Sequence, residues 1–142
     1  MVNEIIDGIT RTIYSAFGKN YKVYAHEDVK QCLREPAFFV ALLDSSHISR
    51  LGTRFFRAYN FDIHYFPKKH GCGYELNHVM DELFQILEYI QLLNDDVLRG
   101  WDMHAEIVDG VLHFFVTYRQ YADIKKDLED MESLSAEVGL SE

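Results

Sequence analysis

The stretch RFFRAYNFDIHYFP, residues 54–67, decides the fold of this chain, because apolar and polar side chains alternate along it from Ala58 onward. In an extended strand, neighbouring side chains point to opposite faces of the sheet. One predicted face holds Tyr59, Phe61, Ile63 and Tyr65, and the other holds Ala58, Asn60, Asp62 and His64. A sheet with one polar face is usually antiparallel, and its apolar face needs a helix or a second sheet as cover.

The residues before this stretch predict a helix and a short strand. Apolar side chains recur at steps of three and four over residues 3–17, which predicts an amphipathic helix with Asn3 as its N-cap and Gly18 at its end. A short strand is predicted at residues 21–25, and one or two helical turns at residues 26–34.

Two further predictions concern the segment between these elements and the alternating stretch. Residues 38–43 have no polar interruption, which predicts a central strand buried on both faces. Residues 44–53 are mostly polar and small, which is typical of a loop or of the exposed tip of a long hairpin.

The second half of the chain predicts a long helix and a hairpin. Apolar residues at helical spacing predict the main core helix over residues 75–93. Asp109-Gly110 is a strong hairpin signal, and it joins predicted strands at residues 101–107 and 111–118. Apolar residues recur again at steps of three and four over residues 121–134, which predicts a terminal helix.

Together these elements predict an α+β fold. We expect a largely antiparallel sheet of about five strands with two helices packed on one face, in the order α-β-β-β-α-β-β, and a C-terminal helix. Residues 1–122 are expected to form a single domain, and residues 123–142 an acidic helix or tail.

Three segments resemble those of a known family of small phage proteins. They are EPAFFVALLD at residues 35–44, RFFRAYNFDIHYFP at residues 54–67 and AEIVDGVLHFFVTY at residues 105–118. The chain resembles the phage tail terminators of phages and prophages of Firmicutes in these segments and in the order of its elements. The residues after Tyr121 add little to the resemblance.

The resemblance implies a structural protein of the virion tail or neck, assembled in the host cytoplasm. It implies a subunit of a homohexameric ring that caps the tail tube and offers a docking surface to the neck and head completion proteins. DNA can pass through such a ring. The family brings no catalytic residues and no cofactor, so none are assigned to this chain.

Composition independently limits the classes of function. The chain has 142 residues, 48% of them hydrophobic and 26% charged, which is typical of one folded domain. No apolar run approaches the roughly 18 residues of a membrane span, so no membrane role is expected. The net charge of −9 argues against a protein that grips nucleic acid by its phosphates. Cys32 and Cys72 are expected to be free thiols.

The polar residues give weak signals for chemistry. The seven histidines lack the spacing of a zinc motif, so no metal site is predicted, and no nucleophile or phosphate-loop motif is present. An acid and base cluster could form if strands bring together Asp62, His64, His104 and Glu106. Strand alternation alone also places polar residues there, so the sequence favours no enzyme.

Charge is distributed unevenly along the chain, which suggests where partners bind. Residues 45–70 hold five Lys or Arg and a single Asp, whereas residues 123–142 hold seven acids and two lysines. The basic group Arg50, Arg54 and Arg57 is either a solvated hairpin face or a contact with a subunit or partner. The terminal apolar stripe Ile124, Leu128 and Met131 docks either on its own domain or on a partner.

Two other classes of function are compatible with these features. A monomeric acidic adaptor would also be compact and free of motifs, and it would run as a single chain in light scattering. A small metal-dependent hydrolase would have to depend on metal or substrate, which metal analysis would reveal.

Overall fold

The computed structural model describes residues 1–25, 35–49, 52 and 54–123. Within these residues the chain forms two helices and six strands. In chain order they are α1 (Val2–Phe17), β1 (Lys22–Tyr24), β2 (Ala37–Ser49), β3 (Arg54–Phe66), α2 (Gly73–Ile86), β4 (Tyr89–Gln91), β5 (Val97–Val108) and β6 (Val111–Asp123). Neither helix in the described part of the chain has the length and apolar character needed to cross a membrane.

The strands form one sheet in the order β1-β2-β3-β6-β5-β4. The β1–β2 pair is parallel, and the other four pairs are antiparallel. At the centre, β3 pairs with β6 without interruption from Arg54 opposite Asp123 to Tyr65 opposite Leu112. The predicted α+β fold is confirmed, with six strands in a mixed sheet where about five largely antiparallel strands were expected.

Both helices pack on the face of β3 that the alternation predicts to be apolar. The helices contribute Ile5, Ile9 and Ile13 from α1 and Leu76, Val79 and Leu83 from α2. The strands contribute Tyr59, Phe61, Ile63 and Tyr65 from β3 and Leu112, Phe114, Val116 and Tyr118 from β6. Full burial of a large apolar side chain stabilises a fold by roughly 1.5–3 kcal/mol, so this layer is the main source of stability.

The first helix and the aromatic strand follow the prediction closely. Helix α1 ends before Gly18, which has φ 91°, although its N-cap is Met1 rather than Asn3. Strand β3 ends at Phe66, immediately before Pro67, which has no N–H to donate to a ladder. The hairpin at Asp109-Gly110 is also confirmed, with φ 52° and 77° at the two turn residues.

The prediction of one helix over residues 75–93 is wrong in its second half. Helix α2 ends at Ile86, and Tyr89–Gln91 form strand β4. Ile90 is 1% exposed in the core, whereas Leu93, placed on the apolar helix face by the prediction, is 74% exposed. Apolar residues two apart enter the core equally well from extended chain, and Ile90 in β4 and Leu92 just after it do so here beside α1.

Strand β2 is longer and less buried than predicted. Residues 37–40 are buried, but residues 42–49 are all exposed, so the expectation of burial on both faces is wrong beyond Val40. Of the two predictions for residues 44–53, the hairpin is confirmed up to Ser49, because β2 continues to that residue beside β3. The strand is second in the sheet rather than central.

Several predictions concern residues outside the described part of the chain. Tyr121 belongs to β6, so the terminal helix predicted over residues 121–134 does not begin there, and residues 124–142 lie outside the described residues. The predicted turns at residues 26–34 and Cys32 also lie outside. Cys72 is a free thiol, as expected.

Candidate functional site

Strands β2, β3 and β6 continue beyond β1 and β5, the strands that flank them. We call residues 42–49 of β2, residues 54–60 of β3 and residues 117–123 of β6 the three-stranded extension. Its strands are paired throughout, with a bulge in β2 between Leu42 and Asp44. Within the extension, residues 42–49 of β2 are exposed, whereas Phe55, Phe56, Ala58 and Tyr59 of β3 are buried.

The extension has two outer edges. Strand β1 pairs with β2 only at Ala37–Phe39, and β5 pairs with β6 only as far as Tyr118. Within the described ranges, residues 42–49 and residues 119–123 therefore have no strand on their outer sides. Unpaired edges present free N–H and C=O groups, and such edges are ready sites for strand addition.

Arg54 and Arg57, two of the three arginines predicted to form one basic group, lie on different faces of this extension. Both Arg54 and Arg57 are exposed, but they are three residues apart in β3, so alternation directs them to opposite faces. Arg57 Nε donates to His47 Nδ1 at 3.3 Å, and its guanidinium lies 5.8 Å from the centre of the Phe55 ring. Arg50, Ile124, Leu128 and Met131 lie outside the described residues.

Two other arginines, Arg99 and Arg119, contact the ring of Trp101. The sequence analysis did not identify this cluster. The guanidinium groups of Arg99 and Arg119 lie 4.7 Å and 4.4 Å from the Trp101 ring, and Arg119 is also 5.2 Å from the Phe56 ring. The Arg119 Nε is buried without a hydrogen-bond partner among the described residues. These cation–π contacts place positive charge on the face of the sheet that the helices leave open.

Polar side chains join three strands at the base of the extension. Asn60 Nδ2 donates to Asp44 Oδ1 at 2.5 Å, and the Thr117 hydroxyl donates to Asn60 Oδ1. These two hydrogen bonds therefore link β2, β3 and β6, directly beside the β2 bulge. They fix the register at the point where the extension leaves the domain.

An aspartate and two histidines meet further along the same open face. Asp62 Oδ2 lies 2.8 Å from His64 Nε2 and 3.1 Å from His113 Nδ1, and the two imidazole rings are 4.5 Å apart. Asp62 is 7% exposed, although the alternation places it on a polar face. The other carboxylate oxygen, Oδ1, is buried with no hydrogen-bond partner among the described residues.

This cluster differs from the acid and base group considered in the sequence. Asp62 and His64 meet, but His104 does not join them, because β6 lies between β3 and β5. His104 instead stacks on Phe115 at 4.7 Å, and Glu106 lies opposite His113 in the β5–β6 ladder. His113, which the sequence analysis did not include in the cluster, lies opposite His64 in the β3–β6 pair. Predicting this contact from sequence requires the strand register, in which Tyr65 pairs with Leu112.

Comparison with known protein families finds a match over most of the chain. A family model described as phage tail terminator protein matches residues 4–131. The match takes in all six strands, α2 and nearly all of α1. No curated protein matches the chain.

Proposed function

The chain belongs to the phage tail terminator family, and on that premise we propose that it is the subunit of a ring that caps the tail tube of a phage or phage-tail-like particle. Membership of this family makes it a structural protein of the phage tail. The observation that carries the proposal is the family match over residues 4–131. In the proposed ring, one face closes the finished tube, and the other receives the neck and head completion proteins.

The edges of the three-stranded extension support a ring. In the extension, β3 lies between β2 and β6, so the two outer edges face in opposite directions. If the β2 edge of one subunit meets the β6 edge of the next, the contact is head to tail. A repeated head-to-tail contact either closes into a ring or grows into a fibre. We propose that it closes, with six subunits as the resemblance implies.

Charge supports a role for Arg54 and Arg57 in these contacts. Both are exposed on the extension, and a chain with a net charge of −9 offers acidic surface on every neighbouring copy. Arginine is enriched at protein interfaces because its planar group binds carboxylates in a bidentate manner. Residues 123–142, with their seven acids and the stripe Ile124, Leu128 and Met131, are the proposed acidic partner within the ring or toward the neck.

Electron microscopy of the purified protein, alone and mixed with its tail tube protein, tests this function. The expected result is a ring at one end of each tube, with tube growth stopped there. Free protein that is monomeric remains compatible if rings appear on the tubes. Tubes of unlimited length with bare ends would contradict the proposal. A chain that stays monomeric by light scattering and leaves the tubes bare would favour the adaptor.

A further inference from the structure

The Asp62 carboxylate lies between two histidines, and one of its two oxygens has no hydrogen-bond partner among the described residues. Its Oδ2 contacts both imidazoles, while its Oδ1 is buried without a hydrogen-bond partner among the described residues. Buried polar atoms are rarely left unpaired, and an exception points to a water or an ion at that place. We consider an ion rather than a water, because the carboxylate of Asp62 and the imidazoles of His64 and His113 are all groups that bind metals.

The sheet holds these ligands in place. Asp62 and His64 are two apart in β3 and therefore share a face, and His113 lies directly opposite His64 in β6. One donor atom from each residue lies within 4.8 Å of the other two. The ligands thus stand on the central strand pair, whose backbone ladder is continuous on both sides of them.

We propose that Asp62, His64 and His113 bind one divalent transition-metal ion, and Zn²⁺ is the test ion because two histidines and a carboxylate are a zinc ligand set. Two imidazole nitrogens and one carboxylate oxygen suit Zn²⁺ and Co²⁺, whereas Mg²⁺ and Ca²⁺ prefer sites made of oxygen alone. Ligands about 2.0–2.1 Å from a tetrahedral ion lie roughly 3.3 Å apart. The separations of 2.8 Å and 3.1 Å from Asp62 Oδ2 to the two imidazole nitrogens are close to that value, and the donor atoms of all three residues lie within 4.8 Å of one another.

The site is accessible enough for an ion to enter. The His64 and His113 side chains are 19% and 23% exposed, and the Asp62 side chain is 10% exposed. Three protein ligands leave a fourth position for water or for a group from a neighbouring protein. Because the ligands come from β3 and β6, the bound ion links the two central strands and stabilises the folded subunit.

Titration of the wild-type protein tests the proposal directly. The protein is prepared without a polyhistidine tag, freed of metal by a chelator and titrated calorimetrically with ZnCl₂, with CoCl₂ in a parallel visible-absorption experiment. We expect one equivalent to bind, ligand-field bands from Co²⁺ and a higher Tm that EDTA reverses. Absence of stoichiometric binding would overturn the proposal.

Two single variants and a matched control assign the ligands. His64→Gln and His113→Gln should each weaken Zn²⁺ binding by about tenfold or more, since even residues that only orient ligands carry effects of that size. His104→Gln removes a histidine of the same face that stacks on Phe115, and it should leave binding unchanged. Equal binding by all three variants would refute the assignment.

X-ray absorption of the zinc-loaded wild-type protein gives an answer that does not depend on the folding of variants. The proposed site predicts nitrogen and oxygen ligands with the multiple-scattering signature of two imidazoles. A sulfur ligand would place the ion at a cysteine and overturn the proposal. The measurement is made on the free protein, so it is independent of whether rings form.

Discussion

Two tyrosines have hydroxyl groups buried in the core, and each has a definite acceptor. The Tyr118 hydroxyl donates to the Leu87 carbonyl oxygen at 2.7 Å, and the Tyr65 hydroxyl donates to Glu75 Oε2 at 2.5 Å. Burial raises the pKa of Tyr118 well above its ordinary value. Burial also raises the pKa of Tyr65, and the hydrogen bond to the Glu75 carboxylate raises it further. Both side chains are therefore neutral in the folded state wherever the fold is stable.

These raised pKa values predict loss of stability in alkali. The unfolded tyrosines ionise at a pH of about 10, while the folded ones resist ionisation, so their contribution is complete below that pH and is lost above it. The urea midpoint of the wild type should therefore fall steeply between about pH 9 and pH 11. Tyr65→Phe and Tyr118→Phe should each flatten this fall, whereas Tyr74→Phe, at a residue 86% exposed, should not. Identical pH profiles for all four proteins would contradict the expectation.

Glu75 holds the connection between β3 and α2 in place. Besides Tyr65, it accepts hydrogen bonds from the backbone N–H groups of Lys68 and Lys69, at 2.8 Å and 3.2 Å. Its burial opposes ionisation, but the hydrogen bonds from these three residues outweigh burial and lower the pKa of Glu75 below its ordinary value. These hydrogen bonds fasten the start of the connection between β3 and α2.

Glu75→Gln should destabilise the subunit by about 1–3 kcal/mol at neutral pH, because an amide cannot match the hydrogen bonds of the carboxylate. Since the pKa of Glu75 is lowered on folding, its contribution is present above the unfolded value of about 4.3 and is lost as the pH falls through the folded value. The difference between variant and wild type should thus shrink in acid. Chemical denaturation at pH 7 and pH 3 measures it, with Asp81→Asn, an exposed change on the same helix, as the control. A difference that stays constant with pH would count against this role.

Helix α2 and strand β4 show where sequence patterns reach their limit. Alternation correctly assigned the faces of β3, and Pro67 and Asp109-Gly110 marked the ends of strands, because those signals depend only on local backbone chemistry. The end of α2 depends instead on a contact across the fold. Gly100 N donates to Glu88 O at 2.6 Å, and this contact brings the chain after the helix against β5.

The cluster of Asp62, His64 and His113 could not be predicted from sequence either, because it also depends on a contact between distant parts of the chain. Asp62 and His64 are visible as neighbours on one face of a strand, but His113 is distant in sequence. It joins them only through the β3–β6 register, and that register is set by packing along the whole strand pair. The burial of Asp62 on a face that alternation marks as polar could not be predicted either.

Because Gly100 has no side chain, the residues just before β4 can pass close to β5. A Cβ placed there would lie 2.7 Å from the Leu87 carbonyl oxygen and 2.9 Å from Val116 Cγ2, which is closer than real side chains approach. Gly100→Ala should therefore cost about 1–3 kcal/mol, the usual range for overpacking. Gly73→Ala is the matched control, because nothing lies within 4 Å of a Cβ at that position. Thermal denaturation measures both changes, and equal Tm values would refute the claim of close packing.

For the subunit as a whole, the distribution of charge sets the expected contacts. Arg54 and Arg57 are exposed on the three-stranded extension, and the acidic sequence of residues 124–142 follows directly from β6, one of its strands. The acidic sequence is therefore joined to a strand that pairs with the strand carrying Arg54 and Arg57. Complementary charge of this kind orients subunits more than it adds affinity.

The acidic C-terminal residues can be tested by truncation after Asp123, which keeps β6 intact. If residues 124–142 contact the next subunit or the neck, the truncated protein should fold with an unchanged Tm but form fewer rings on tail tubes and join fewer heads. The truncation also removes Ile124, Leu128 and Met131, the proposed apolar part of the contact. A truncated protein that caps tubes and joins heads as well as the full chain would show that these residues are dispensable.

The arginines of the extension provide the sharpest test of the ring, because charge can be reversed there without touching the core. Arg54→Glu/Arg57→Glu should leave the stability within about 1 kcal/mol, since exposed substitutions each change it by about 0.5 kcal/mol at most. If either residue meets acid on a neighbouring subunit or on the tube, the double variant should cap fewer tubes, and the deficit should grow at low salt, where repulsion is least screened. Lys19→Glu/Lys22→Glu makes the same change in net charge at two exposed residues, one just before β1 and one at its start, outside the extension. Electron microscopy of tube ends compares the variants at equal protein concentration. A deficit in both would indicate a general effect of net charge, and no deficit in either would remove Arg54 and Arg57 from the proposed interface.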